Sequence, residues 1–255
     1  MSEPHPETFA ALHDAVGTAA VLDSAVQLGV LARLAEGAAT PAEVALSCEL
    51  PERQAHALVV ALVSIGVVVH VPPDRFRPAV AGMPAVHRLL DVWRRLPRQL
   101  GQNGLPTDPY DFASLDSGAV TRARGLLARP GDRLLEVSTP SVAAAPDSYD
   151  LILVDNVCHL QTEPENLRLV ARLAPALRLG GRLAIVDVLP SSSSAPPMSL
   201  ALYELSLAVR TAGGRLHPVA AYRRWLHLAG LLDVSVVPLG GRLPHALLTG
   251  ARPSA

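Results

Sequence analysis

The sequence predicts an α/β protein in which an N-terminal helical, winged-helix-type domain precedes a truncated Rossmann-like sheet. Three observations predict it. Over residues 1–82 three helical stretches lead into a short alternating segment that turns at Pro72-Pro73-Asp74. From Gly131 onward "RLLEV", "YDLILVDN" and "RLAIVDVLP" are short apolar runs of the kind buried on both faces of a parallel sheet. Only eleven residues, 138–148, separate the first two of these runs. A parallel crossover that carries its own helix takes roughly a dozen or more.

Taken in order, residues 8–36 carry apolar side chains at helical spacing and stop at Gly37. "TPAE" at 40–43 opens a second helix, with Thr40 as N-cap, Pro41 in the first turn and Glu43 closing a capping box. A third helix spans about 52–65, and "VVVHVPPDRFRPA" forms a hairpin. Residues 83–128 read as a helical connector interrupted at "GQNGLPTDPYD". In the third segment, 129–255, "TEPENLRLVARLAPALRLGG" is an amphipathic helix stopped by Gly180 and Gly181. "SSSSAPP" is a loop, helices follow near 200–211 and 218–229, and "VSVVPLG" with "HALLTGARP" forms an antiparallel pair at the sheet edge.

Composition excludes several kinds of chemistry. The net charge is −1, and within 1–82 four arginines face nine acids, a local balance of −5. A DNA-reading helix needs basic and amide side chains, whereas "PERQAHALVVALVSIG" has one arginine and is otherwise mostly apolar. That helix suits packing against a partner chain, not nucleic acid. All 22 basic residues are arginine, so no lysine can form a Schiff base. Cys48 and Cys158 have no metal-ligand spacing, and neither do His217, His227 and His245, so no metal site is expected. The acidic N-terminus and the short apolar runs predict no signal peptide and no membrane span, hence a cytoplasmic protein.

Together these segments resemble the small-molecule O-methyltransferases that use S-adenosylmethionine. "LDSAVQLGVLARLAEGAATPAEVA" and "VVALVSIGVVV" are similar to their winged-helix dimerisation domain. "YDLILVDNVCHL", "LRLVARLAPALRLGGRLAIVDVLP" and "AGGR" are similar to the later half of their catalytic domain. The resemblance implies a sheet order of first, fourth, fifth, seventh and sixth strand. It also implies a homodimer, or a heterodimer with another methyltransferase-family protein. The family's cofactor loop, of the form E-x-G-x-G-x-G, should follow the first strand. Here Glu136 is followed by Val-Ser-Thr-Pro-Ser, and no glycine occurs over 134–179. Proline fixes φ and removes an N–H where that loop needs glycine. The sequence therefore predicts a chain without the S-adenosylmethionine site, and no cofactor. It also predicts an exposed edge at "RLLEV", unless "TPSVAAAPD" or a partner covers it.

On the substrate side, His159 falls at the family's general base and Asp187 at the carboxylate that orients it. Such a carboxylate fixes the tautomer and raises basicity. The second carboxylate of the family aligns with Leu216, next to His217. Trp93, Tyr110, Phe112, Asn156 and Tyr203 are candidate substrate contacts. Each aromatic could instead be core, His159 a hydrogen-bonded histidine at a helix start, and Asp187 a loop cap. The sequence thus predicts cofactor-independent acid–base chemistry of cyclase, isomerase or lyase type on a polyketide-like or aromatic secondary metabolite. The alternatives are a non-catalytic partner of a full-length biosynthetic enzyme and a residual methyltransferase.

Overall fold

In a computed structural model of the chain, the described residues are 6–79, 90–91, 93–98, 100, 117–192 and 197–254. They belong to two compact units, Met1–Arg95 and Leu96–Ala255.

The first unit holds α1 (Pro6–Gln27), α2 (Val30–Glu36), α3 (Pro41–Ser47), α4 (Glu52–Ser64) and an antiparallel hairpin of β1 (Val68–Val71) and β2 (Arg75–Pro78). The single helix expected over 8–36 is two helices. Gly29 takes φ 75, a left-handed conformation that a continuous helix cannot contain and that glycine adopts without a Cβ clash. The capping box at the start of α3 forms as expected: the Glu43 N–H donates to Thr40 Oγ1 and the Thr40 N–H to Glu43 Oε2. Arg75 then ties Glu43 to the hairpin at 2.9 Å. Val30, Leu31, Leu34, Val59, Leu62 and Val68 form the buried centre of this unit.

The second unit holds α5 (Ser117–Leu127), β3 (Leu134–Val137), β4 (Tyr149–Asp155), α6 (Glu163–Leu173), β5 (Leu177–Val188), α7 (Met198–Arg210), α8 (Val219–Leu228), β6 (Leu232–Pro238) and β7 (His245–Ala251). The five strands form one sheet in the order β3-β4-β5-β7-β6, the order implied by the resemblance. β3, β4 and β5 are parallel, while β7 runs antiparallel to both β5 and β6. Alternation along the strands builds two cores. Leu151, Leu153, Ala184 and Val186 face α5, whereas Ile152, Val154, Leu183 and Ile185 face α6 and α8.

One expected boundary is corrected. The helix read as running to Gly180-Gly181 ends at Leu173, and after a 3₁₀ turn at Ala174–Ala176 the chain is already β5. Pro175 cannot continue an α-helix. Gly180 and Gly181 lie inside β5, beside the register shift opposite Tyr149. A Cβ on Gly181 would stand 2.9 Å from the Arg178 carbonyl oxygen and 3.0 Å from that of Tyr149, so the close strand approach requires glycine there.

The connection 138–148 contains no helix and passes directly from β3 to its parallel neighbour β4. Val142 and Ala144 pack on the face shared with α6 and α8, and Arg172 donates to the Pro140 carbonyl at 2.5 Å. The segment covers a face and not an edge: among the described strands none pairs with the outer side of β3. No single helix among the described residues is long and apolar enough to cross a membrane.

Candidate functional site

The C-terminal ends of β4 and β5 lie side by side, the place where open α/β sheets bind ligands. β4 ends at Asp155, and Asn156 turns the chain sharply at φ 53, a conformation that asparagine tolerates better than most residues. The Asn156 N–H donates to the Val186 carbonyl, and its amide Nδ2 donates to Asp155 Oδ1 at 2.9 Å. Its Oδ1 is buried without a hydrogen-bond partner among the described residues. A single 3₁₀ turn, Cys158–Leu160, then carries His159 over the end of β5.

Three N–H groups converge there on the Asp187 carboxylate. The His159 backbone N–H donates to Oδ2 at 3.1 Å, the Val188 N–H to Oδ1 at 2.8 Å, and His159 Nδ1 to Oδ1 at 2.5 Å. Both side chains are fully buried. Because its partner is an acceptor, Nδ1 carries the proton of the neutral imidazole, and Nε2 is left with the lone pair. The Tyr203 ring meets the imidazole edge-on at 5.6 Å. Tyr203 belongs to an apolar cluster with Val188, Leu200, Leu207, Leu216 and Leu243, against which Leu160 packs. Leu216, where the resemblance implies a carboxylate, is thus part of an apolar wall.

The loop 211–218 locks this arrangement. The Arg215 N–H donates to the His159 carbonyl at 2.8 Å, and the Gly214 N–H to Thr211 Oγ1 at 2.8 Å. A Cβ on Gly214 would lie 2.8 Å from that same His159 carbonyl oxygen. The glycine therefore lets the loop approach the backbone of the His159 turn.

Behind the pair lies a buried polar layer that sequence reasoning missed. His217 Nε2 donates to the Gln161 carbonyl at 3.0 Å, Asn166 Nδ2 donates to the Cys158 carbonyl at 2.8 Å, and Gln161 Nε2 donates to Asn166 Oδ1 at 3.1 Å. Burial holds the His217 imidazole below its ordinary pKa, against the upward pull of the Gln161 carbonyl and of Asp187. The Tyr222 and Trp225 rings pack at a tilt, 4.7 Å between centroids, beside His217, and Tyr222 is completely buried. Its phenol is pushed well above the usual tyrosine range, first by burial and then by the Asp187 charge. The sequence signal for Tyr222 was a hydroxyl-bearing residue on the inward stripe of α8, separated from Trp225 by the exposed pair Arg223 and Arg224. Cys158 is also fully buried; desolvation, then Asp187, pushes its thiol well above the ordinary range, which opposes thiolate chemistry.

The structure therefore brings together His159, Asp187, Asn156 and Tyr203. Trp93 lies half-buried in a helical stretch of the first unit, while Tyr110 and Phe112 fall outside the described residues. Among the described residues no group of His, Cys, Asp and Glu could hold a metal ion.

Comparison with known proteins places these features. No family model matches the chain. The chain is 30% identical over 132 residues to a 3-amino-4-hydroxybenzoate 4-O-methyltransferase of Streptomyces cremeus, a match that covers 51% of the chain and 36% of that enzyme. It is 27% identical over 107 residues to a 3-hydroxy-5-methyl-1-naphthoate 3-O-methyltransferase of Streptomyces sahachiroi, covering 42% of the chain and 31% of the enzyme. The matched segments thus span about a third of these curated relatives. In fold, an O-methyltransferase family protein from Burkholderia thailandensis superposes with a TM-score of 0.69 at 19% identity, over 100% of both chains. Human N-acetylserotonin methyltransferase, in complex with SAM, superposes at 0.66 with 15% identity, again over 100% of both chains. The chain thus has the fold of these O-methyltransferase structures, and over the matched segments its sequence is similar to curated O-methyltransferases.

Proposed function

We propose that this chain is an O-methyltransferase-family protein that has lost the S-adenosylmethionine site and performs acid–base chemistry on an aromatic or polyketide-like metabolite. The observation that carries the proposal is the His159–Asp187 pair. Its carboxylate is held by two backbone N–H groups as well as by the imidazole, which fixes the ring's tautomer without any cofactor. The residues after β3 do not fit a nucleoside cradle. They include Pro140 and no glycine, Val142 and Ala144 are turned onto the core, and Glu136 is taken by Arg124 at 2.6 Å. The shortfall also fits an internal loss. A structural match from end to end of both chains stands beside a curated relative whose matched part is 51% of this chain but only 36% of that enzyme.

The chemistry needs proton transfer alone. His159 Nε2 takes a proton from a carbon next to a carbonyl, and Asp187 stabilises the imidazolium that results. Return of that proton to another carbon completes an isomerisation. Attack of the enolate carbon on a second carbonyl, with the proton passed to the new alkoxide, completes a cyclisation. Delivery of the proton to a departing hydroxyl gives an alkene and water. The apolar wall of Leu200, Tyr203, Leu207 and Leu216 suits an aromatic or polyketide skeleton, and the two named relatives act on hydroxylated benzoate and naphthoate rings.

The second reading is a non-catalytic partner of a related full-length enzyme. It is favoured by the complete burial of His159 and by leucine at 216. Purified chain incubated with metabolite extract from a host lacking its gene separates the readings. The proposal expects a product of unchanged mass, or of mass reduced by one water, formed without added S-adenosylmethionine. A product heavier by one methylene that appears only with S-adenosylmethionine overturns it, and no product without a second protein supports the partner reading.

A further inference from the structure

The geometry points to Tyr222 as a positioning residue of the His159–Asp187 pair, its phenol O–H acting on the side of the Asp187 carboxylate turned away from the imidazole. This rests on the acid–base reading above. Alternation along β5 puts Asp187 on the same face as Leu183 and Ile185, the face on which α8 lays Tyr222 and Trp225. Tyr222 is 0% exposed, and its hydroxyl makes no hydrogen bond of standard geometry among the described residues. A buried hydroxyl left unpaired is unfavourable, and a native core rarely keeps one where phenylalanine would pack as well. Asp187, Cys158 and Tyr203 all lie within electrostatic reach of its hydroxyl, with Asp187 acting on it most strongly. Of these, the carboxylate is the strong acceptor, because it is charged, whereas the neutral Tyr203 phenol and Cys158 thiol accept more weakly. The ring is held in place from two other sides, by Trp225 at 4.7 Å and by the His217 imidazole, edge-on at 6.1 Å.

A donor in this place competes with His159 Nδ1 for carboxylate charge. It tempers the basicity that Asp187 lends to the imidazole, and it keeps the carboxylate oriented when the backbone donors alone would allow it to pivot. Packing by itself would need only the ring.

The test reads the His159–Asp187 hydrogen bond and not turnover, so it stands apart from the fate of the proposed function. In the full-length protein the low-field Nδ1 proton resonance is assigned by its loss in Asp187→Asn. Tyr222→Phe removes only the hydroxyl, so the carboxylate becomes a better acceptor for Nδ1 and the resonance moves further downfield. Fluorotyrosine placed at 222 is a more acidic donor that keeps the ring, and it moves the resonance upfield. Shifts of opposite sign establish the role, while an unmoved resonance in either folded variant, or shifts of the same sign, overturns it. Should Tyr222→Phe fail to fold, the fluorotyrosine variant alone decides by the sign of its shift.

Discussion

Replacement of His159 by alanine is expected to lower turnover by roughly 10²–10⁴-fold, the contribution of a well-placed general base. The protein should stay folded, because the backbone N–H groups of residue 159 and of Val188 continue to donate to Asp187. The carboxylate therefore keeps both backbone donors and is not left as an unpaired buried charge. Asp187→Asn is expected to be comparably severe. An asparagine must turn its NH₂ toward one of those N–H donors, and it no longer selects the Nδ1–H tautomer of His159. Cys158→Ala should be nearly silent, since the thiol is buried and held protonated. Product formation from the true substrate checks all three. Undiminished product with His159→Ala ends the acid–base account and leaves the partner reading, while a large loss with Cys158→Ala points to a thiol mechanism.

Two substitutions in α4, two residues apart, should separate folding from association. The apolar character of this helix makes both Val60 and Leu62 interface candidates when only the sequence is read. The structure corrects this: Leu62 is 0% exposed within the core of the first unit, whereas Val60 is 43% exposed. Leu62→Asp places an unpaired carboxylate among Val30, Leu34 and Val59, a change worth several kcal/mol, and should unfold the first unit. Val60→Asp should leave its circular dichroism and melting unchanged and lower self-association. Leu46, 85% exposed, should behave like Val60. The proposed dimer thus rests on exposed apolar side chains of the first unit, which ordinary monomer surfaces also carry singly. Light scattering on the eluting protein decides. A monomeric wild type contradicts the interface, and a folded, dimeric Leu62→Asp contradicts the packing.

What the sequence made legible follows from the kind of signal each feature leaves. Strand runs such as "LILV" and the Thr40–Glu43 capping box are local patterns, and both appear where the pattern puts them. The adjacency of Asp187 to His159 was legible through family resemblance, since a sequence separation of 28 carries no local signal of contact. Glycine misled twice because its meaning depends on tertiary neighbours. Gly29 breaks a helix that its flanking apolar spacing extends, and Gly181 stays in a strand because the Tyr149 carbonyl comes close, not because a helix stops. Tyr222 was invisible as part of the site. On the inward stripe of α8 it reads as one more core aromatic, and only the fold shows that Asp187 lies on the face it covers.

The central claim is that a chain with the O-methyltransferase fold operates without S-adenosylmethionine, and calorimetric titration of the purified protein with that methyl donor tests it most directly. The account predicts no saturable heat up to about 1 mM ligand, where an affinity of only about −4 kcal/mol would begin to register. A dissociation constant at or below about 10 μM, roughly −7 kcal/mol, would contradict it and return the chain to the methyl-transferring members of its family.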